Sequence, residues 1–327
     1  YRAIALCSPL AKVFDWLILS MFSDKFITED LQFGFKPSCS TAKCTFTLNE
    51  CINYFRLNGS HVYVLLLDAS KAFDKVNYVR LFYLLRERGI HPMFLKCLLY
   101  MYTNQRLNVS WNFRKSKYFN VTNGVKQGGV LSPTLFGVYV NDLLTRLKNS
   151  PFGCRVGHKY SGAFAYADDI ALVAPSLFSL RKMCAICSQF ADKYQLQFNP
   201  SKCKIVDTSG KGAFSFYFNG TTVDVGTNGI HLGHSIGVDS SSIQIDMLVR
   251  DLTQRVNAIK SNFYLCSPEV KRLLFSTFCT SFYGLCQVDI DSNAFNRFLI
   301  AWRKSLRFLF NLPSRCHNVL IPLITRF

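Results

Sequence analysis

Two adjacent aspartates, Asp168 and Asp169, lie between the apolar runs 163–167 and 170–173, and a third, Asp68, ends the apolar run 62–67. Such runs, rich in Val, Leu, Phe and Tyr, read as buried strands, and unpaired carboxylates beside a core cost several kcal/mol. Cations offset that cost. Two Mg²⁺ ions about 4 Å apart, held by carboxylate oxygens, stabilise both the attacking and the leaving oxygen of an in-line displacement at phosphorus. Taken alone, the Asp-Asp pair reads first as a hairpin turn, because Asp is a favoured turn residue.

The neighbouring segments bear on the choice. Asp68 is followed by Ala69-Ser70-Lys71-Ala72-Phe73-Asp74, which turns a strand into a helix and sets an aromatic ring where it could wall a pocket beside the carboxylate. Asn123-Gly124-Val125-Lys126-Gln127-Gly128-Gly129-Val130-Leu131-Ser132-Pro133 combines glycines that allow close backbone approach with a Ser-Pro helix start. After the aspartate pair come Asn199-Pro200-Ser201-Lys202 and His231-Leu232-Gly233-His234.

These segments need elements to carry them. Residues 1–60 combine a helical pattern over 10–21 with a turn-rich stretch over 33–41. Residues 61–237 alternate strands and helices: a strand at 61–67, helices near 77–89 and 92–104, a hairpin across 107–121, a helix over 133–148, the aspartate hairpin, a helix over 178–194, and strands near 203–207, 214–218 and 230–236. That is an α+β core with a mostly antiparallel sheet. From 241 onward the pattern is helical, with breaks at Pro268 and Pro313.

The 327 residues are 49% hydrophobic, which excludes wholesale disorder. Lys and Arg total 38 against 20 acidic residues, and the net charge of +18 suits a polyanionic partner, nucleic acid first. An anionic membrane ranks well behind: no basic amphipathic tail stands out, and no uncharged apolar run approaches the roughly 18 residues of a bilayer span. The opening Tyr1-Arg2-Ala3-Ile4 lacks a Met and reads as part of a longer chain. Thirteen cysteines, scattered among apolar neighbours such as those of Cys7, Cys97, Cys154, Cys279 and Cys286, fit reduced core thiols and an intracellular setting. Cys184 and Cys187 have metal-knuckle spacing but sit in a helical pattern without a second pair.

In this order the motifs resemble the reverse transcriptase domain of non-LTR retrotransposons, jockey-like LINE elements in particular. The likeness runs over nearly the whole chain, from Tyr1-Arg2-Ala3-Ile4-Ala5-Leu6 and Gln32-Phe33-Gly34-Phe35-Lys36 with Ser40-Thr41 to Leu306-Arg307-Phe308-Leu309-Phe310-Asn311-Leu312-Pro313. The resemblance implies a right-hand polymerase fold: fingers in 1–60, an antiparallel-sheet palm in 61–237 with inserted fingers elements around 77–122, and a helical thumb in 238–327. It implies an RNA-directed DNA polymerase that adds dNTPs to the 3′-hydroxyl of a DNA or RNA primer on an RNA template, with two Mg²⁺ ions, Mn²⁺ being the substitute.

Residue by residue, the resemblance assigns Asp68, Ala69, Asp168 and Asp169 to metal binding and Asp68, Asp168, Asp169 and Lys202 to catalysis, with Lys202 at pyrophosphate departure. Arg2, Lys36, Phe73 and Gln127 would bind the dNTP, Phe73 as a steric gate against a 2′-hydroxyl. Gly128, Tyr166, Leu232 and Gly233 would meet template and primer. Three departures stand out: Ala3 where the family has Pro, Lys36 where it prefers Arg, and His231 where it has Tyr. No endonuclease or Cys/His knuckle lies in these residues. The nucleus and cytoplasm, as a ribonucleoprotein, are the implied locations. A catalytically silent nucleic-acid-binding module on the same fold is the alternative, as is a polymerase of different template or sugar choice.

Overall fold

A computed structural model describes residues 4–212 and 214–327, and the chain divides into two compact units, Tyr1–Gly226 and Thr227–Phe327. The first unit is built on a six-stranded sheet. Its strands are β1 (Tyr63–Leu67), β8 (Ala163–Tyr166), β9 (Asp169–Ala174), β10 (Lys204–Asp207), β11 (Phe216–Phe218) and β12 (Thr221–Gly226). They lie in the order β11-β12-β10-β1-β9-β8, and all neighbours are antiparallel except β10 and β12. The continuous apolar sequence of β1 follows from its central position, with both faces covered.

Helices α1 (Pro9–Met21), α2 (Thr41–Leu57), α3 (Tyr78–Glu87), α4 (Pro92–Thr103), α5 (Ser132–Asn149) and α6 (Leu177–Tyr194) complete the unit. Helix α6 starts where Ser176 Oγ accepts from the Ser179 amide at 3.2 Å, and α5 starts at the Ser-Pro pair. Leu143 and Leu147 of α5, and Leu180 and Phe190 of α6, share one core with Leu65, Leu67, Leu172 and Ile205 of the sheet. Each such side chain stabilises the fold by about 1.5–3 kcal/mol through burial. Cys184 and Cys187 lie in that core, which accounts for their spacing without a metal. Between α4 and α5 a narrow arm projects, made of β2 (Arg106–Leu107) paired with β5 (Phe119–Asn120) and β3 (Ser110–Trp111) paired with β4 (Arg114–Lys115). A small hairpin, β6 (Arg155–Val156) and β7 (Lys159–Tyr160), precedes β8.

Four expectations need correction. Helix α2 was not foreseen, although Ser40 caps it and Cys44, Leu48, Cys51 and Ile52 bury one face at helical spacing. Strand β12 was also missed. The stretch 230–236 is two strands, β13 (Asn228–His231) and β14 (His234–Gly237), folded about Leu232 and Gly233, and both belong to the second unit. Cys97 and Cys286 are exposed, whereas seven other cysteines, Cys154 and Cys279 among them, are buried.

In the second unit this hairpin precedes α7 (Ser240–Asn262), α8 (Pro268–Phe278), α9 (Asn293–Leu309) and α10 (Leu320–Thr325). Leu252, Val256, Ile259, Phe275, Leu306 and Leu309 form its main core. Gln244 Oε1 accepts from the Ser235 amide at 2.9 Å and its Nε2 donates to the Tyr283 carbonyl at 3.0 Å, tying hairpin, helix and loop. The His234 ring lies 4.3 Å from that of Tyr283, whose hydroxyl donates to the Leu232 carbonyl at 3.1 Å. Among the described residues, no helix is long and apolar enough to cross a membrane.

His231 is buried, and its Nε2 has no hydrogen-bond partner among the described residues. Burial first, then His234, pushes its pKa down to about 4. The folded state therefore holds His231 neutral while the unfolded state protonates near pH 6.5. The stability this contributes is present above pH 6.5 and is lost as pH falls towards 4, by about 3 kcal/mol at most. Thermal melts across that range should show a steeper acid loss for the wild type than for His231→Tyr, and parallel curves would refute the assignment.

Candidate active site

The three aspartates lie at the same end of the sheet. Strand β1 pairs with β9 in a register that sets Leu66 opposite Ala171 and Leu67 opposite Ile170. Continued one residue, this register puts Asp68 opposite Asp169, on the sheet face that carries Leu66, Ala171 and, across the β8–β9 pair, Tyr166. Asp168 occupies the tip of the β8–β9 hairpin. Residues from distant parts of the chain are thus neighbours because Leu65, Leu67, Ile170 and Leu172 must all reach the same core.

The hairpin is held by the segment that carries Gln32 and Gly34. Ala167 has φ 58°, a left-handed conformation that costs an alanine about 1 kcal/mol. Gln32 is buried, and its Oε1 accepts from the Ala167 amide at 2.9 Å and from the Gly34 amide at 2.9 Å. Two backbone bonds extend this contact: the Ala165 amide donates to the Leu31 carbonyl at 2.9 Å and the Phe33 amide to the Ala165 carbonyl at 2.8 Å. The 31–34 segment therefore lies beside β8 through a single parallel bridge between Gln32 and Ala165. A Cβ on Gly34 would lie 2.5 Å from the Ala167 nitrogen, so the close approach requires glycine.

Phe73 is half-buried and stacks on Phe136, with ring centroids 4.5 Å apart and an interplanar angle of 13°. Its other neighbour, Phe35, meets it edge-on at 6.3 Å and lies 6.4 Å from the Tyr166 ring. Phe73 is thus an aromatic wall with a fixed back. The Gln127 loop is knitted to the same turn. The Val125 amide donates to the Phe73 carbonyl and the Gly124 amide to the Val76 carbonyl, each at 2.8 Å, while Gln127 Nε2 donates to Asp74 Oδ1 at 3.1 Å. Gly124 packs on the Asp74 backbone so closely that a Cβ there would lie 2.8 Å from it. Asp15 of α1 accepts from the Leu131 amide at 3.4 Å at the start of α5, and burial raises its pKa against the pull of that bond. Gly128 lies in the same loop, exposed, beside Gln127.

The segment 197–199 pairs along the chain that follows Asp68. Ala69 bridges Phe198, the Ser70 amide donates to the Gln197 carbonyl, and the Asn199 amide donates to the Asp68 carbonyl. This brings Lys202 Nζ within 3.8 Å of Asp68 Oδ2. Both side chains are substantially exposed, so the pair adds little stability and acts mainly as local counter-charge.

Other candidates lie elsewhere. Lys36 does not extend a free ammonium: its Nζ donates to the carbonyls of Thr28 at 3.0 Å and Glu29 at 2.6 Å, and burial lowers its pKa. Leu232 and Gly233, the turn of the β13–β14 hairpin, belong to the second unit. Arg2 lies outside the described residues.

The donor set at the sheet end consists of hard carboxylate oxygens, which fit a hard divalent cation. Among the described residues, no three Asp, Glu, His or Cys side chains are gathered closely enough to hold an ion as they stand. A divalent cation would offset the repulsion between these like charges if Asp68, Asp168 and Asp169 converged on it. The sequence reading missed Gln32, Gly34, Asp74 and Asp15. Gln32 and Gly34 stood in a quoted motif, and only the contact with Ala167 gives them their roles.

Residues 1–223 match the sequence pattern of the family described as Reverse transcriptase (RNA-dependent DNA polymerase). Among curated proteins, the chain is 27% identical over 211 residues to the Retrovirus-related Pol polyprotein from type-2 retrotransposable element R2DM of Drosophila melanogaster, covering 64% of this chain and 20% of that protein. It is 27% identical over 217 residues to the RNA-directed DNA polymerase from mobile element jockey of the same organism, covering 62% of this chain and 23% of that protein. The chain thus spans about a fifth of the length of these relatives. A solved structure of telomerase from Candida albicans, in complex with a TWJ fragment of telomeric RNA, is similar over 98% of this chain and 56% of that one, with TM-score 0.53 and 12% identity, which shows a right-hand polymerase fold. The family is generally dependent on divalent metal. With its family pattern matched over more than half its length, and with carboxylates, aromatic wall and glycine loop at one sheet end, the chain belongs to the reverse transcriptase family, in its non-LTR, LINE-like branch.

Proposed function

We propose that this chain is the RNA-directed DNA polymerase of a non-LTR retrotransposon, extending a primer 3′-hydroxyl with dNTPs on an RNA template. The observation that carries the reading is the β1–β9 register, which sets Asp68 beside the Asp168–Asp169 hairpin. Asp68, Asp168 and Asp169 would hold two Mg²⁺ ions, with Mn²⁺ as the substitute. Those ions, when bound, activate the primer hydroxyl and neutralise the triphosphate. The remaining work belongs to the protein. Gln32 and Gly34 keep the hairpin backbone in place, which limits how far its carboxylates must move to share an ion. Phe73, whose ring is backed by Phe136, would stack under the incoming sugar and exclude a 2′-hydroxyl. Gln127, braced by Asp74, presents the loop that meets the nascent pair. Lys202 would donate to the departing pyrophosphate, a role supported by its nearness to Asp68.

In this reading the first unit supplies fingers and palm and the second the thumb, with Leu232 and Gly233 on the primer. The net charge of +18 supports contact with sugar-phosphate backbones, and the buried free thiols support an intracellular setting.

Three outcomes test the reading. Primer extension on an RNA template should fall by a factor of about 1000 or more in Asp168→Asn, since several kcal/mol of charge stabilisation is lost. Equal product from wild type and variant would end the catalytic assignment, and no product from either would leave a catalytically silent binding module. Phe73→Val should raise ribonucleotide relative to deoxynucleotide incorporation about tenfold, and an unchanged ratio would remove the gate assignment. Gly34→Ala and Gln32→Met, which displace the hairpin without touching a reacting group, should each lower kcat by about 10- to 100-fold while primer–template affinity changes little. A loss in affinity alone would place both residues outside catalysis.

A further inference from the structure

The 105–121 arm is poorly explained by folding. Every residue from Trp111 to Asn120 is exposed, and Phe113 is fully so. Its ladder is short and held by its own bonds: Trp111 opposes Arg114, the Ser116 amide donates to the Val109 carbonyl at 2.9 Å, and Ser116 Oγ accepts from the Val109 amide at 2.9 Å. The two turn residues, Asn112 and Phe113, have φ 45° and 62°. Asparagine tolerates this conformation, but the second position of such a turn ordinarily takes glycine. A phenylalanine there combines backbone strain with a ring in water, and neither helps the fold.

The chemistry around that ring is consistent along the arm. Trp111, Phe113, Tyr118 and Phe119 alternate with Arg114, Lys115 and Lys117, with Arg106 at the base, and no Asp or Glu occurs between Glu87 and Asp142. Exposed rings interleaved with cations form a surface on which bases stack while phosphates are neutralised. The arm is also continuous with the site. The Val121 amide donates to the Gln105 carbonyl at its base, and within a few residues Gly124 and Val125 are bonded to the turn that carries Phe73.

We propose that this arm is a stacking platform for single-stranded RNA, namely the unpaired template strand next to the site, an assignment that rests on the polymerase reading above. Phe113 is its central contact, and Arg114, Lys115 and Lys117 supply the charge. A regular duplex is a poorer occupant, because its bases are already stacked and offer no free faces to the rings.

The test uses the full chain and labelled primer–templates, flush or with a single-stranded overhang of RNA or DNA, read by fluorescence anisotropy without any need for catalysis. Phe113→Gly relieves the turn strain, so its melting temperature should equal or exceed that of the wild type. Its affinity for the RNA-overhang substrate should nevertheless fall about tenfold, with the flush duplex unaffected. The combined R114Q, K115Q and K117Q variant should reduce the salt dependence of overhang binding by about 2 log units per log unit of salt. Equal losses on flush and overhanging substrates, a loss confined to DNA overhangs, or no loss at all would each overturn the assignment. So would a changed oligomeric state with unchanged RNA affinity, which would make the arm a self-association surface. Failure of wild-type primer extension alongside the predicted binding losses would count against the polymerase reading and leave the RNA-binding arm standing.

Discussion

Antiparallel pairing of β1 with β9 is the constraint on which the site depends, because it places carboxylates from distant parts of the chain at the same sheet end. In a sheet, side chains alternate faces, so a slip of one residue would send Asp68 and Asp169 to opposite sides. Packing prevents that slip: Leu65, Leu67, Ile170, Leu172 and Ala174 lie in the core with α5 and α6, and Val64, Leu66, Ala171 and Val173 are buried as well. The hydrophobic core thus sets the geometry of a charged site that contributes nothing to that core.

Around this register, the chain uses backbone contact and buried polar bonds to hold the elements that would touch a nucleotide. Gln32 bridges two loops through one oxygen, Gly34 lets their backbones approach, and Asp74 and Gly124 couple the Gln127 loop to the turn carrying Phe73. Asp15 adds a link from α1 to the start of α5. These residues are positioned by neighbours that are themselves buried or bonded, which limits the motion of the wall and the hairpin. Left-handed backbone at non-glycine residues recurs in these parts, at Phe35, Lys71 and Ala167. Such conformations persist where surrounding structure over-determines them, and they mark segments whose shape matters more than their local stability.

The second unit shows a different economy. Its hairpin buries His231 and His234 against α7 and the Tyr283 loop, so a turn that the sequence reading associated with primer contact is also where acid acts on the fold. A tyrosine at position 231 would not titrate in this range, so the acid sensitivity expected of this hairpin rests on the histidine.

Much of this was legible in the linear chain. The apolar run before Asp68, the alternation around Asp168, the Ser-Pro start of α5 and the period of α6 identify their elements, because strand and helix patterns follow from local burial and capping. The order of the carboxylate, glycine-loop and aspartate-pair motifs pointed to the family. Helix α2, strand β12 and the turn splitting β13 from β14 were less visible: polar residues interrupt the apolar face of α2, β12 buries only Val223, and the stretch 230–236 hides a turn at Leu232 and Gly233. What the residues alone determined was which chemical groups were available and which elements bore them. Tertiary structure decided which of them meet: that Lys36 bonds to carbonyls, that Lys202 approaches Asp68, and that Gln32 carries the hairpin. Those outcomes depend on distances across the fold, set by strand register and core packing, and no short stretch of sequence encodes them.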